Sequence, residues 1–185
     1  MLKIVLPGDE RRAEVEDFIR RVYAEQYQAR LDSFPDRLVC LFDGADALNL
    51  VCAAGLRQSG DGFYSEKYLD ASVENVLSDL VGCKVNRSEI FEVSSLVSRD
   101  PHLIITLIRD IVDWGCRNNH QWSFFTVTRR LEVMLRRMGL APVYLGRADG
   151  SKIADSEKWG GYYLTEPRVI AVAHKSAFGL LSAAG

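Results

Sequence analysis

Apolar residues recur along the chain with two different periods, and the switches between them outline its elements. The opening LKIVLP (2–7) reads as a short strand. Between 9 and 30, Val15, Phe18, Ile19, Val22, Tyr23 and Tyr27 fall at three- and four-residue steps, which predicts an amphipathic helix. RLVCLFD (37–43) and ALNLVCAAGLR (47–57) are β-rich runs joined by DGAD (43–46), a hairpin signal. SVENVLSDLVG (72–82) predicts a short helix from Ser72, and SEIFEVSSLV (88–97) a central strand. A long helix then runs to 119, with Asp100 as its N-cap and Pro101 at its first position. WSFFTVT (122–128) is nearly all strand formers, and RRLEVMLRRMG (129–139) is a helix closed by Gly139. LAPVYLG (140–146) and YYLTEPRVIAVAHK (162–175) finish the chain with strands.

The order β-α-β-β-(α)-β-α-β-α-β-β is mixed α/β, with a βαβ unit in its second half. One stretch breaks the apolar pattern. In IFEVSSLVSRDP (90–101), alternation puts Glu92 and Ser94 on one face with Ile90 and Leu96, and Phe91, Val93, Ser95 and Val97 on the other. Both faces of a central α/β strand are normally apolar. A buried carboxylate is costly unless paired, so Glu92 needs a partner or a task. Arg57, at the end of the neighbouring run, offers a structural ion pair; the other reading makes Glu92 a general base. Thr126 and Thr128 alternate at the end of WSFFTVT. Thr126 either lines a groove or is simply a good strand residue, and Thr128 reads as the latter.

Composition bounds the class. With 185 residues and 48% hydrophobic content, the chain supports one domain over 1–185 with a substantial core. A net charge of −2 argues against nucleic-acid binding. Cys40, Cys52, Cys83 and Cys116 are scattered without a CxxC pair, and His102, His120 and His174 complete no zinc pattern. No metal site is expected, and the thiols read as reduced, in a cytoplasmic protein. The N-terminal apolar stretch is too short for a secretory signal, and no transmembrane segment is present.

The element order resembles the acyltransferase fold of the GNAT superfamily. AAGLRQS (53–59), FYSEKYLD (63–70), FEVSSLV (91–97), WSFFTVTRRLEVMLRRMGL (122–140) and WGGYY (159–163), in that order, resemble the thermostable hemolysin family of bacterial proteins. That family looks like a branch of the GNAT-like fold. It is similar to the acyl-homoserine lactone synthases, which join an acyl chain from acyl carrier protein to S-adenosylmethionine. The resemblance implies a central mixed, mostly antiparallel sheet flanked by helices. It also implies acyl transfer from a thioester to a small amine or amino-acid-derived substrate, S-adenosylmethionine among the candidates.

The site residues follow from the same resemblance. GLR with Arg57 looks like the synthases' G-x-x-R strand end, and EVSS like their E-L-S-R. Glu92 then takes the general base's place and Ser94 positions the amine or the base, while a bulge beyond Ser94 frees backbone N–H groups for the thioester carbonyl. Arg57 holds Glu92 or binds an acidic substrate group. Ser95 stands where the synthases have arginine, so homoserine-lactone production is not expected. Glu66, Tyr68 and Asp70 become candidate substrate ligands; without the resemblance they are a turn leading to a Ser72 helix cap. The segment 18–34 looks like a lid over the substrate pocket. Trp159 and Tyr162, with Tyr163, either cover that pocket or pack in the core.

SRDPHL (98–103) lacks the glycines of a coenzyme A loop. Asp100 would repel phosphate there, and Pro101 removes a donor. No tightly bound cofactor is expected; acyl-ACP or acyl-CoA is a co-substrate, with the carrier protein favoured. Arg99 and Arg129 either meet the carrier's acidic surface or are solvated charges. The rival reading is a membrane-active hemolysin-type protein without transferase activity, and HLIITLIRDIVDWGC (102–116) is its most apolar helix. A helix buried against a sheet explains that stretch equally well.

Overall fold

The five apolar side chains spaced along the first helix, Val15, Phe18, Ile19, Val22 and Tyr23, are all buried in a computed structural model that describes residues 2–43 and 49–174. They form the inner face of α1 (Arg12–Tyr27), which is shorter than the 9–30 expected from periodicity. Gln28 ends it in a left-handed conformation, φ 56°. The strands are β1 (Lys3–Val5), β2 (Arg37–Asp43), β3 (Asn49–Arg57), β4 (Ile90–Ser98), β5 (Trp122–Val127), β6 (Val143–Arg147) and β7 (Arg168–Ala173). They form one sheet in the order β1-β2-β3-β4-β5-β7-β6. Among the described residues only β4 and β5 pair in parallel; the other pairings are antiparallel. The fold is therefore mixed α/β, with a mostly antiparallel sheet flanked by helices.

Two helices cover each side. α1 and α2 (Val73–Val81) pack on one face, against Leu38, Ala53, Ile90 and Phe124. α3 (Leu103–Arg117) and α4 (Arg129–Arg137) pack on the other, against Phe91, Val93, Val127 and Ile170. α3 buries Leu107, Ile108, Ile111 and Trp114 while Arg109 and Asp113 face water. Its apolar residues thus form one buried face, as expected of a helix laid on a sheet. Among the described residues no helix is long and apolar enough to cross a membrane.

Several local expectations are corrected. α3 begins at Leu103, not Pro101, but Asp100 still caps it: Oδ1 accepts from His102 N at 2.7 Å and from Leu103 N at 3.3 Å. Ser72 makes no side-chain cap to α2; Glu66 Oε1 instead accepts from Val73 N at 2.8 Å. Thr128 is the N-cap of α4 rather than a strand residue. Residues 162–165 form a 3-10 turn, and the last strand starts at Arg168. Most of the DGAD turn and Lys175 lie outside the described residues, though Asp43 pairs with Asn49 across the hairpin.

The correction that matters most for the site is in β4. Its register against β3 slips between Val97↔Ala53 and Ser94↔Gly55. Ser95 absorbs the extra residue at φ 50°, a left-handed conformation rare outside glycine. The bulge reverses the alternation beyond it. Val97 joins the α1 side with Glu92 and Ser94, and Leu96 goes to the α3 side. Simple period-2 reading had assigned these two the opposite way.

Candidate active site

Parallel pairing of β4 with β5 is recorded only from Ile90↔Trp122 to Glu92↔Phe124. Beyond Glu92 the bulged half of β4 has no β5 partner, and a cavity of about 280 Å³ opens there on the α1 side of the sheet. Its floor is Arg57, Glu92, Ser94, Ser95 and Thr126. Register explains the grouping: Arg57 lies opposite Glu92 and Gly55 opposite Ser94, so all four positions share one face. Gly55 is required there, because an added Cβ would stand 2.7 Å from Ser94 Oγ and 2.5 Å from Pro35 Cγ.

Glu92 is fully buried. The 3-10 turn at 65–68 meets it with free backbone donors. Tyr64 N donates to Oε2 at 2.6 Å, Ser65 N to Oε1 at 2.8 Å and Ser65 Oγ to Oε1 at 2.6 Å. Thr126 Oγ1 donates to Ser65 Oγ at 2.8 Å, extending the chain to β5. Burial pushes the Glu92 carboxyl above the ordinary carboxylate range, outweighing the downward pull of these donors and of the Arg57 charge. Three donors leave about one of the carboxylate's four acceptor positions open. The Glu92–Arg57 ion pair, one of the two readings of the sequence, is absent among the described residues. The turn satisfies the carboxylate instead, and Arg57 Nε is buried with no hydrogen-bond partner.

Two segments wall the cavity. The end of α1 and residues 28–36 after it are tied to the 155–161 loop by Gly161 N→Tyr27 O at 2.7 Å and Arg30 N→Lys158 O at 2.6 Å. Lys158 adds ion pairs to Asp32 at 2.8 Å and Asp155 at 3.4 Å. Tyr23, Tyr64, Trp159 and Tyr162 form an aromatic wall with neighbouring ring centroids 5.4–6.3 Å apart. A second, open groove of about 820 Å³ runs along the start of α4, past Arg99, Arg129, Arg130 and Arg137. It shares Tyr23, Thr126 and Tyr162 with the first cavity. Among the described residues no group of His, Cys, Asp or Glu could hold a metal ion.

A family model described as thermostable hemolysin matches residues 5–178. The chain belongs to the thermostable hemolysin family. Comparison with curated proteins gives no match. Solved structures share the fold of this hemolysin-family chain. The AHL synthase LasI aligns with a TM-score of 0.60 at 13% identity, covering 94% of this chain and 89% of LasI. BjaI, a CoA-dependent acyl-homoserine lactone synthase with SAM and isopentyl-CoA, gives 0.62 at 12% identity, covering 99% and 86%. FeeM, an N-acyl amino acid synthase from uncultured soil microbes, gives 0.57 at 12%, covering 94% and 91%.

Within the hemolysin-family chain, the residues expected at the site divide into three groups. Arg57, Tyr68, Glu92, Ser94, Ser95, Thr126, Trp159 and Tyr162 line the one cavity. Arg99 and Arg129 line the neighbouring groove, although Arg99 is also paired with Glu25 at 2.9 Å. Glu66 and Asp70 are absent from the cavity lining: Glu66 is paired with Arg87 at 2.6 Å while capping α2, and Asp70 is held by Lys152 at 2.7 Å. Both serve the turn that presents Tyr64 and Ser65. Sequence reading missed those two residues. FYSEKYLD draws attention to Glu66, Tyr68 and Asp70, but two of the three donors that reach Glu92 are backbone N–H groups, which carry no residue signature, and the third is the Ser65 hydroxyl.

Proposed function

We propose that the protein transfers an acyl group from a thioester to the nitrogen of a small amine or amino-acid-derived acceptor, as one domain over 1–185. The observation that carries this reading is the buried Glu92 carboxylate, with one acceptor position left, at the point where β4 parts from β5 and then bulges against β3. A base beside a cavity wall, next to splayed backbone, suits attack by an amine on a carbonyl. The fold shared with LasI, BjaI and FeeM, all named as acyl-transferring synthases, supports it.

In the proposed reaction Glu92, directly or through one water, takes a proton from the acceptor's ammonium group. The freed nitrogen pair attacks the thioester carbonyl, forming N–C. Collapse of the tetrahedral intermediate breaks C–S, and the departing thiolate takes the second amine proton. The proton on Glu92 returns to water. Backbone N–H groups around Ser95 and Leu96 stabilise the oxyanion, Ser94 orients the amine, and Tyr68, Thr126, Trp159 and Tyr162 shape the pocket. No tightly bound cofactor takes part.

For the donor we favour acyl carrier protein over acyl-CoA. The N-terminus of the helix after β4 is a ready anion site in principle. Here Asp100 already occupies it, accepting from His102 N and Leu103 N. The exposed Arg129, Arg130 and Arg137 suit a carrier's acidic surface, with Arg99 beside them. A carrier-protein donor would place the protein in the cytoplasm. S-adenosylmethionine remains a candidate acceptor.

The test is intact mass spectrometry of acyl-loaded carrier protein incubated with the protein and a pool of amines. Amine-dependent deacylation that is lost in Glu92→Gln supports the reading, and the product mass names the acceptor. No turnover with either acyl carrier protein or acyl-CoA would overturn it. Prompt leakage of liposomes by the protein alone would favour the membrane-active reading instead.

A further inference from the structure

We infer that the acceptor carries a carboxylate next to its amine, and that Arg57 and Ser94 hold that carboxylate. This rests on the acyl-transfer reading of the same cavity and names its acceptor class. Two polar atoms of cavity-lining residues, Arg57 Nε and Ser94 Oγ, are buried without a hydrogen-bond partner. Buried polar groups are almost always satisfied, so a pair of orphaned donors at one cavity calls for a ligand that supplies acceptors. The two are diagonal neighbours across β3 and β4, with side-chain-free Gly55 next to them and Pro35 packed over it.

The other cations of the cavity are already occupied. Lys158 is held by Asp32 and Asp155, Arg30 lies 3.6 Å from Asp32, and Lys67 sits over the Tyr64 ring at 4.5 Å. Arg57 makes no ion pair among the described residues, because its cross-strand neighbour Glu92 is satisfied by the 64–65 turn. A guanidinium left free in this way presents a planar fork that matches a carboxylate. The Glu92 carboxylate beside Arg57 disfavours a doubly charged phosphate more than a singly charged carboxylate.

Spacing narrows the acceptor further. Glu92 receives the amine proton, and Arg57 stands directly opposite it in register. Paired residues have Cβ atoms about 5 Å apart, so Glu92 and Arg57 reach the same end of the cavity and can engage two polar groups of one small molecule. The aromatic wall of Tyr23, Tyr64 and Trp159 is then left for the substituent.

The experiment compares matched acceptors: phenylalanine with phenethylamine, lysine with cadaverine, and S-adenosylmethionine with its decarboxylated form. The amino acid of at least one pair should exceed its decarboxylated partner by tenfold or more in kcat/KM. Arg57→Gln should erase that preference mainly through KM, and Arg57→Lys should restore part of it, with far-UV circular dichroism confirming the fold of each variant. Equal turnover of acids and decarboxylated amines overturns the inference while leaving acyl transfer intact. Titration calorimetry with the same pairs, without a donor, gives a readout apart from turnover. Binding of the acid alone, lost in Arg57→Gln, upholds the acceptor class even if no thioester is consumed; no binding preference and no turnover overturn both.

Discussion

Arg57 stands directly opposite Glu92 in the β3–β4 register, yet no ion pair joins them. The carboxylate takes its hydrogen bonds from Tyr64 and Ser65, and the guanidinium keeps its capacity for something else. A structural ion pair would have used up both groups. The arrangement found keeps a buried carboxylate and a guanidinium without an ion pair side by side on the wall of one cavity.

Replacing Glu92 by Gln should lower kcat by about 10²–10⁴ while the far-UV circular dichroism stays native. Burial raises the Glu92 carboxyl above its ordinary value of 4.5, so the base form is lost as pH falls through that higher value. The pH profile of kcat/KM should therefore show an acidic limb with its midpoint above 4.5, and the variant should lack it. A drop in kcat of less than tenfold would remove Glu92 from the role.

Gly55→Ala puts a methyl group 2.5 Å from Pro35 Cγ and 2.7 Å from Ser94 Oγ. Both contacts demand movement, at the base of the 28–36 segment and in β4. The expected loss is about 1–3 kcal/mol of stability in a urea melt, together with reduced turnover. An unchanged midpoint would mean that the sheet yields there without strain.

The bulge depends on Ser95 holding φ 50°. Ser95→Gly accepts that conformation and should keep the melting temperature at or above that of the parent. Ser95→Val, β-branched, should lose about 1–3 kcal/mol and most of the activity. Equal melting of the two variants would argue that β4 does not need the left-handed residue.

Glu66→Gln should affect stability and not substrate binding. Glu66 joins Arg87 to the start of α2, so its loss should cost about 0.5–2 kcal/mol, the range of a helix cap. KM for the acceptor should change by less than about threefold. A tenfold rise in KM would return Glu66 to the ligand role that its position in FYSEKYLD suggested.

His120 and His174 are both buried, and burial lowers the pKa of each below 6.5. His174 Nδ1 faces the His120 carbonyl at 3.0 Å, and Nε2 faces Ser123 Oγ at 3.2 Å. Below pH 6.5 the unfolded chain takes up protons that the folded chain still refuses, so stability falls as pH drops from 6.5 through the lower folded values. Melting scans between about pH 7.5 and about pH 5.5 should show that decline, and His174→Asn should reduce its slope. A flat profile would contradict neutral buried histidines.

The amino-acid sequence by itself determined the elements, because hydrophobic period and breaker residues are local. Helical spacing marked α1, α3 and α4, β-rich runs marked the strands, and the Glu92–Ser94 interruption pointed to the site. The resemblance of five short motifs led to a family and a fold that the comparisons bear out. Tertiary structure decided the rest. The bulge at Ser95 reversed the facing of Leu96 and Val97, since one extra residue shifts a period of two. The backbone N–H groups of Tyr64 and Ser65, with the Ser65 hydroxyl, partner Glu92 in place of Arg57, and a backbone N–H looks the same in every residue. Glu66 and Asp70 lie beside the site in sequence but were drawn to Arg87 and Lys152, charges that approach only once the chain has folded.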